Sequence, residues 1–339
     1  MGKIKYIFKV IFGGSFKRFA EVINRVHEKC GQNKVYTFFD MIWCFLKYGA
    51  GVHDYLIFGF YNMNGRQRNT YMTRVRNKRL IEMVNDESYA HIFDNKDEFN
   101  KKFTEFLGRE FLCVREMSKE EFEEFIKDKE IIFAKPSSSE SGKGIERLVK
   151  SDFESVDAMY DYIVNPEKNF GVIEQEIKQH HDLNTLYPHA INSYRIVTIV
   201  TEGKAHCVYA TAKAGSDGKF VDNMENSGIA CPIDYKTGKI AGCAHTSALI
   251  NYDQHPYTGV TLVGFQLPYV KEAVALCKKA ALVVPEIAYV GWDCAVTEDG
   301  PVIIEGNNYP GYDFWQLPEH TPEKRGLYPY FKKRVKGFK

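Results

Sequence analysis

Two carboxylates and an amide in the C-terminal third of the chain have the types and spacing for metal chemistry. They are Asp293 in Gly291-Trp292-Asp293, and Glu305 and Asn307 in Ile304-Glu305-Gly306-Asn307. Between them Asp299-Gly300 is a hairpin signal, since glycine accepts the positive φ of tight turns. A three-residue loop, Glu298-Asp299-Gly300, would set Asp293 directly opposite Glu305, with Cβ atoms about 4.5–5.5 Å apart. Side chains alternate along a strand, so Asn307 shares the face of Glu305. Like charges opposed on a sheet are unfavourable unless compensated, and a divalent cation would compensate them. Carboxylate and amide oxygens, with positions left for water, suit Mg²⁺. The bland alternative is a solvated hairpin with its acids in water.

A second group surrounds Lys135. This lysine ends the apolar run Ile131-Ile132-Phe133-Ala134 and precedes a Ser/Gly-rich loop from Ser137 to Gly144. Backbone N–H groups of such a loop can wrap phosphate oxygens, and Lys143 would add charge. The spacing is not that of a GxxxxGK[ST] phosphate loop. Arg195 lies in an apolar run, Tyr194 to Val200, where an uncompensated charge is costly, so a buried partner or ligand is expected. His180-His181 resembles a metal pair, but adjacent residues on a strand face opposite ways, which makes the pair structural.

The elements that must position these groups are legible in part. Residues 1–90 read as mostly helical, with Ile4, Ile7, Phe8 and Ile11 at helical spacing among lysines. A basic run follows, Arg66, Arg68, Arg74, Arg76, Lys78 and Arg79, either a solvated helix face or a site for a polyanionic substrate. From about 91 onward the pattern is mixed α/β. Strands are expected at 131–135, 145–149, 171–177, 194–200, 205–211, 288–296 and 301–306, with a helix over 268–284. The basic segment 324–339 forms a tail that could meet anionic lipid at the inner face of a membrane.

Composition narrows the classes. The 339 residues are 44% hydrophobic with a net charge of +1, so a sizeable core is expected and bulk charge gives no sign of nucleic-acid binding. The 8 cysteines form no CxxC pair, which suggests buried thiols in the cytoplasm. No apolar run reaches the roughly 20 residues of a spanning helix.

Taken in order, Ala134-Lys135-Pro136 with Ser141-Gly142-Lys143-Gly144, Asn192-Ser193-Tyr194-Arg195-Ile196-Val197-Thr198, Val221-Asp222-Asn223, Gly291-Trp292-Asp293 and Ile304-Glu305-Gly306-Asn307 resemble the ATP-grasp superfamily. They resemble in particular its sugar-transfer-associated branch, found with capsule and teichuronic-type polysaccharide synthesis. The resemblance covers about 95–317. It implies an α+β, ATP-grasp fold of two α/β subdomains clasping ATP, over 91–323, preceded by the helical region 1–90 on the acceptor side. Lys96 and Lys135 would contact ATP phosphates, and the loop with Ser139, Ser141, Gly142, Lys143 and Gly144 would close over them. Glu174, Gln175, Glu176 and Ile177 would form the adenine hinge, and Asp182 would meet the ribose. Arg195 and Lys213 would steady the transferred phosphate, and Asn223 would lie near the reacting centre. Asp293, Glu305 and Asn307 would hold Mg²⁺.

The implied activity is an ATP-dependent carboxylate–amine ligase forming an acyl phosphate. Its substrates would be a hexuronic acid and an amino acid or amine. Alternatives on the same fold are a nucleotide-binding scaffold and a small-molecule kinase.

Overall fold

In the computed structural model, residues 16–138, 144–216 and 228–339 are described. The chain divides into two compact units, residues 1–84 with 311–339, and residues 85–310.

The first unit is helical around an aromatic core of Phe58, Phe60, Tyr55 and Tyr71. The helix Lys34–Tyr48 starts where the Asn33 side chain accepts from the N–H of Val35 and Tyr36, and stops at Gly49 with φ 65°. The left-handed Gly49 closes the helix as glycine C-caps do. A buried pair ties this helix to Gly65–Arg68: both Nη atoms of Arg68 lie 2.7 Å from the Asp40 carboxylate, and the Tyr55 hydroxyl donates to it at 2.8 Å. Cys44 lies beside this pair, and burial pushes its thiol up to about 12.

Residues 311–339 belong to this unit, not to a continuation of the second, and do not form a free tail. Gln316 exchanges hydrogen bonds with both Met72 main-chain groups at 2.8 and 2.9 Å. The Tyr312 hydroxyl donates to buried Asp54 at 2.7 Å. Tyr328 and Phe331 of the helix Tyr328–Arg334 are buried.

The second unit contains two antiparallel sheets. The smaller consists of β1 (Phe111–Cys113), β2 (Ile131–Pro136), β3 (Glu146–Val149) and β4 (Phe170–Gln175), in the order β1-β4-β2-β3. Beside it pack the helices Lys119–Ile126, opened by a Ser118–Glu121 capping box, and Val156–Val164. The larger sheet is formed by β5 (Ser193–Thr201), β6 (Lys204–Ala214), β7 (Ile229–Asp234), β8 (Lys239–Ile240), β9 (Ala244–His245), β10 (Asn251–Tyr252), β11 (Tyr289–Thr297) and β12 (Gly300–Asn307). Its order is β10-β9-β7-β6-β5-β11-β12, with β8 on β7.

Alternation explains the larger sheet. Tyr194, Ile196, Trp292 and Cys294 bury one face, while Arg195 and Asp293 take the other, as period-two side chains must. The β5–β6 turn is Glu202-Gly203, with φ 51° and 70°, the two positive values of a tight hairpin turn. The helix Val270–Ala280 covers the buried face with Val270, Ala273, Cys277 and Ala280. It begins two residues later than Pro268, behind Tyr269 in a left-handed conformation.

Candidate active site

Asp293 sits at the centre of a cross-strand row. In β11 it pairs with Glu305 of β12 on one side and with Arg195 of β5 on the other, and Arg195 pairs with Thr211 of β6. Directly paired residues point to the same face. The expected opposition of Asp293 and Glu305 is therefore present, but the loop is shorter than expected. Thr297 pairs with Gly300, so only Glu298 and Asp299 form the turn. The register is recovered by a bulge: Cys294 pairs with Ile303 and Asp293 with Glu305, leaving Ile304 as the extra residue.

The repulsion expected at this hairpin is met by protein cations. Arg195 Nε and Nη2 both donate to the Asp293 carboxylate, the second at 2.8 Å, and Lys213 Nζ lies 3.0 Å away. Asp293 is 5% exposed. Burial alone would raise its pKa, but Arg195 and Lys213 hold the carboxyl well below the usual range. Thus the two cations expected at the transferred phosphate and one expected metal ligand are partners of one another. Glu305, by contrast, is exposed. The Asn307 side-chain oxygen accepts from the Tyr309 N–H at 2.7 Å.

A second buried carboxylate anchors the smaller sheet. Glu174, 3% exposed, accepts from Arg109 Nε at 2.8 Å and Nη2 at 3.1 Å, from Asn100 at 2.8 Å and from Lys135 Nζ at 2.6 Å. Desolvation would raise its pKa, and Arg109 and Lys135 reverse that, leaving it well below the usual range. Its main chain is inside β4, paired with Phe133 and Phe111. Glu174 is therefore a strand residue whose carboxylate orients Lys135. Of the expected hinge, Gln175 ends β4 and Glu176 and Ile177 follow it outside any strand.

Arg109 also joins this cluster to the larger sheet, donating to the carbonyl oxygens of Ile303 at 2.7 Å and Ile304 at 3.2 Å. The bulge that sets the Glu305 register is thus held from the Glu174 side. Neither Arg109 nor Asn100 has a sequence signal: each lies 65 or more positions from Glu174 along the chain.

Lys96 opens the helix Lys96–Lys102, and its N–H donates to the Ser137 carbonyl at 2.9 Å. Burial depresses its pKa; Glu305 and Glu174 act to raise it and Lys135 to lower it. Lys96, Lys135, Glu174 and Glu305 therefore share one neighbourhood. Ser137 lies so close to β4 that a Cβ on Gly171 would fall 2.2 Å from its hydroxyl oxygen, so the start of the loop needs glycine there. Gly144 closes the loop with φ 75°. Ser139, Ser141, Gly142, Lys143 and Asn223 lie outside the described residues.

His180 and His181 correct the strand-based expectation. They begin the helix His181–Leu186 rather than lying in a strand, and their rings stack 4.4 Å apart. His180 Nδ1 caps the helix by accepting from the Asp182 N–H at 3.1 Å, and His181 Nδ1 lies 3.0 Å from Glu298 of the hairpin turn. Glu298 raises the His181 pKa. Asp182 is exposed beside both rings.

The donor set fits a hard divalent cation: Asp293, Glu305 and Asn307 present oxygens on one face of one hairpin. Two α/β sheets with cations and carboxylates facing a common neighbourhood form the ATP-grasp fold. A family model for sugar-transfer associated ATP-grasp proteins matches residues 75–330, and the chain belongs to that family.

Solved structures similar to it include N5-carboxyaminoimidazole ribonucleotide synthetase in an ADP complex. The identity is 12% over 65% of this chain and 46% of that one, with a TM-score of 0.40. D-alanyl-alanine synthetase A from Vibrio cholerae O1 biovar eltor is 14% identical over 73% and 63%, with a TM-score of 0.42. D-cycloserine synthetase DcsG is 12% identical over 71% of each chain, with a TM-score of 0.42. This chain spans less than two thirds of the length of the first two. A comparison with curated proteins finds no match. No described helix is long and apolar enough to cross a membrane.

Proposed function

We propose that the chain is an ATP-dependent carboxylate–amine ligase acting on a carboxylate of a surface polysaccharide or its precursor, with a hexuronic acid as the carboxylate. One observation carries the reading: the row Glu305–Asp293–Arg195, with Lys213, shares the second unit with the Lys96–Lys135–Glu174 group, and Lys96 senses both Glu305 and Glu174. In that neighbourhood fixed cations outnumber the buried carboxylates, which suits a triphosphate.

The chemistry follows from those charges. A substrate carboxylate oxygen attacks the γ-phosphorus of ATP. The bond from that phosphorus to the β–γ bridging oxygen breaks, and ADP leaves. The amine nitrogen then attacks the acyl carbon, phosphate departs with the bond pair, and the amine proton is lost to water.

Lys96 and Lys135 would hold the phosphates, with Glu174 fixing the direction of the Lys135 ammonium. Arg195 and Lys213 would neutralise charge on the transferred phosphoryl group, a role in which preorganised cations cost no reorganisation. They would do so while Asp293 holds them in place. Glu176, Ile177 and Asp182 would face the adenosine. Magnesium, held by Asp293, Glu305 and Asn307, would supply further charge neutralisation on the phosphates.

The test measures melting temperature with ATP, with and without Mg²⁺, for the native chain and Glu305→Gln. Ligands that bind only the native state raise stability by mass action. A Mg²⁺-dependent rise lost in the variant supports the reading. Uronic acids paired with amines should then release ADP and phosphate, and hydroxylamine should trap an acyl hydroxamate. No rise at millimolar MgATP, or AMP as product, would sink it.

A further inference from the structure

The basic run from Arg66 to Arg79 has two fates in the first unit. Arg68 turns inward to the Asp40 carboxylate. The others do not share this partner, and several converge on a pair of adjoining clefts. One, of about 650 Å³, is lined by Lys47, Tyr48, Asn64, Gly65, Arg66 and Asn69. The other, of about 300 Å³, shares Lys47 and Tyr48 and adds Val75, Arg76, Arg79, Tyr328 and Lys339. Five cations, Lys47, Arg66, Arg76, Arg79 and Lys339, therefore line the two clefts, and no aspartate or glutamate lines either.

Arg76 is the informative member. It is half-buried, and its guanidinium carbon lies over the Tyr328 ring, 3.8 Å from the ring centre. Its acceptors are neutral: the carbonyls of Tyr71 at 2.8 Å and Asn69 at 3.1 Å, and the Asn69 side-chain oxygen at 2.7 Å. Burial depresses its pKa with no carboxylate to offset the loss of solvent. A guanidinium fixed this way, without a counter-charge, costs free energy in the free protein that an anionic ligand would return. Lys47 and Arg66 are exposed, and among the described residues neither forms an ion pair. Arg79 donates to the main-chain oxygen of Lys339 at 3.0 Å.

We propose that these clefts form a second ligand site, separate from the ATP chemistry, for a phosphate or diphosphate ester. The charge count selects the ligand class. A single carboxylate would leave most of the positive charge unmatched, whereas a multiply charged phosphate can engage Arg76, Arg66 and Lys47 together through several oxygens. The phosphate could be borne by a soluble sugar phosphate or by a lipid headgroup, and both present the same oxygens.

The test is calorimetric titration of the full chain with inorganic pyrophosphate, in a Lys135→Gln background. That background weakens phosphate capture in the second unit, so the result stands whatever the fate of the ATP reading. Saturable binding is expected, weakened about tenfold or more by Lys47→Gln with Arg66→Gln, because both charge-assisted hydrogen bonds to the phosphate are lost. These exposed positions should leave the melting temperature unchanged, which separates lost binding from lost folding.

Two further arms identify the source: glucose 1-phosphate, and co-sedimentation with phosphatidylcholine vesicles carrying phosphatidic acid. Binding to vesicles alone, lost in the double variant, assigns the phosphate to a lipid. The proposal is overturned if none of the three probes binds, or if the double variant binds them as the parent does.

Discussion

The second unit gives four of its central cations a carboxylate, while the first unit withholds one from Arg76. Arg109 and Lys135 share Glu174, and Arg195 and Lys213 share Asp293, both acids almost wholly out of solvent. In the first unit Arg68 obeys the same rule with Asp40, yet Arg76, eight positions on, is held by carbonyls, an amide and a ring. Two uses of positive charge follow. A cation locked to a buried acid is an oriented part of the scaffold that can also meet a ligand. A cation held by neutral groups keeps its whole charge for a ligand.

Substitutions at the acids should sharpen the contrast most. Glu174→Gln leaves Arg109 and Lys135 without counter-charge in the interior, and should cost about 3–5 kcal/mol in denaturant unfolding. Asp293→Asn should cost about 3 kcal/mol and reduce ATP turnover by about 100-fold or more, since it frees both cations that it orients. A stable, active Asp293→Asn protein would break the idea that this acid organises the site. In the first unit, Arg68→Gln should cost about 3–5 kcal/mol by stranding Asp40. Arg76→Gln should cost only about 1 kcal/mol, because it strands no buried acid and relief of the desolvated charge offsets the lost hydrogen bonds. Equal losses at Arg68 and Arg76 would erase the distinction.

Acidity gives a smaller, continuous test. Glu174 and Asp293 have folded-state pKa values below their unfolded ones. Their stabilisation is full above the unfolded value, about 4, and is lost as pH falls through the folded value. Melting temperature should therefore drop steeply below about pH 5, and Glu174→Gln should flatten that drop. The sign reverses at His181, whose folded pKa is raised by Glu298. Its small stabilisation is present below about pH 6.5 and fades as pH rises through the folded value. Glu298→Gln should thus lower the melting temperature slightly at pH 5.5 and not at pH 9.

Sequence made local features legible and long-range pairings illegible. The apolar run ending at Lys135, the Glu202-Gly203 turn and the β11–β12 hairpin are encoded within a few residues, by alternation and turn chemistry. Local sequence predicts the opposition of Asp293 and Glu305 through a three-residue loop. The chain reaches it through a two-residue turn and an extra Ile304, which no local rule distinguishes. Arg109 reads as a polar loop residue because its partners, Glu174 and the Ile303 and Ile304 carbonyls, are far along the chain. The return of residues 311–339 to the first unit was hidden for the same reason. Gln316 and Tyr312 meet Met72 and Asp54 across more than 240 positions.

The extra Ile304 works as a parity bit. A strand has two faces, and one residue more or fewer between a turn and a side chain decides which face that side chain takes. In an unbulged ladder Ile304 itself would oppose Asp293, and Glu305 and Asn307 would take the buried face; the bulge absorbs the extra residue and restores both to the face of Asp293. Deleting Ile304 leaves a regular ladder in which Glu305 still opposes Asp293, so ATP turnover should survive the loss of that one residue.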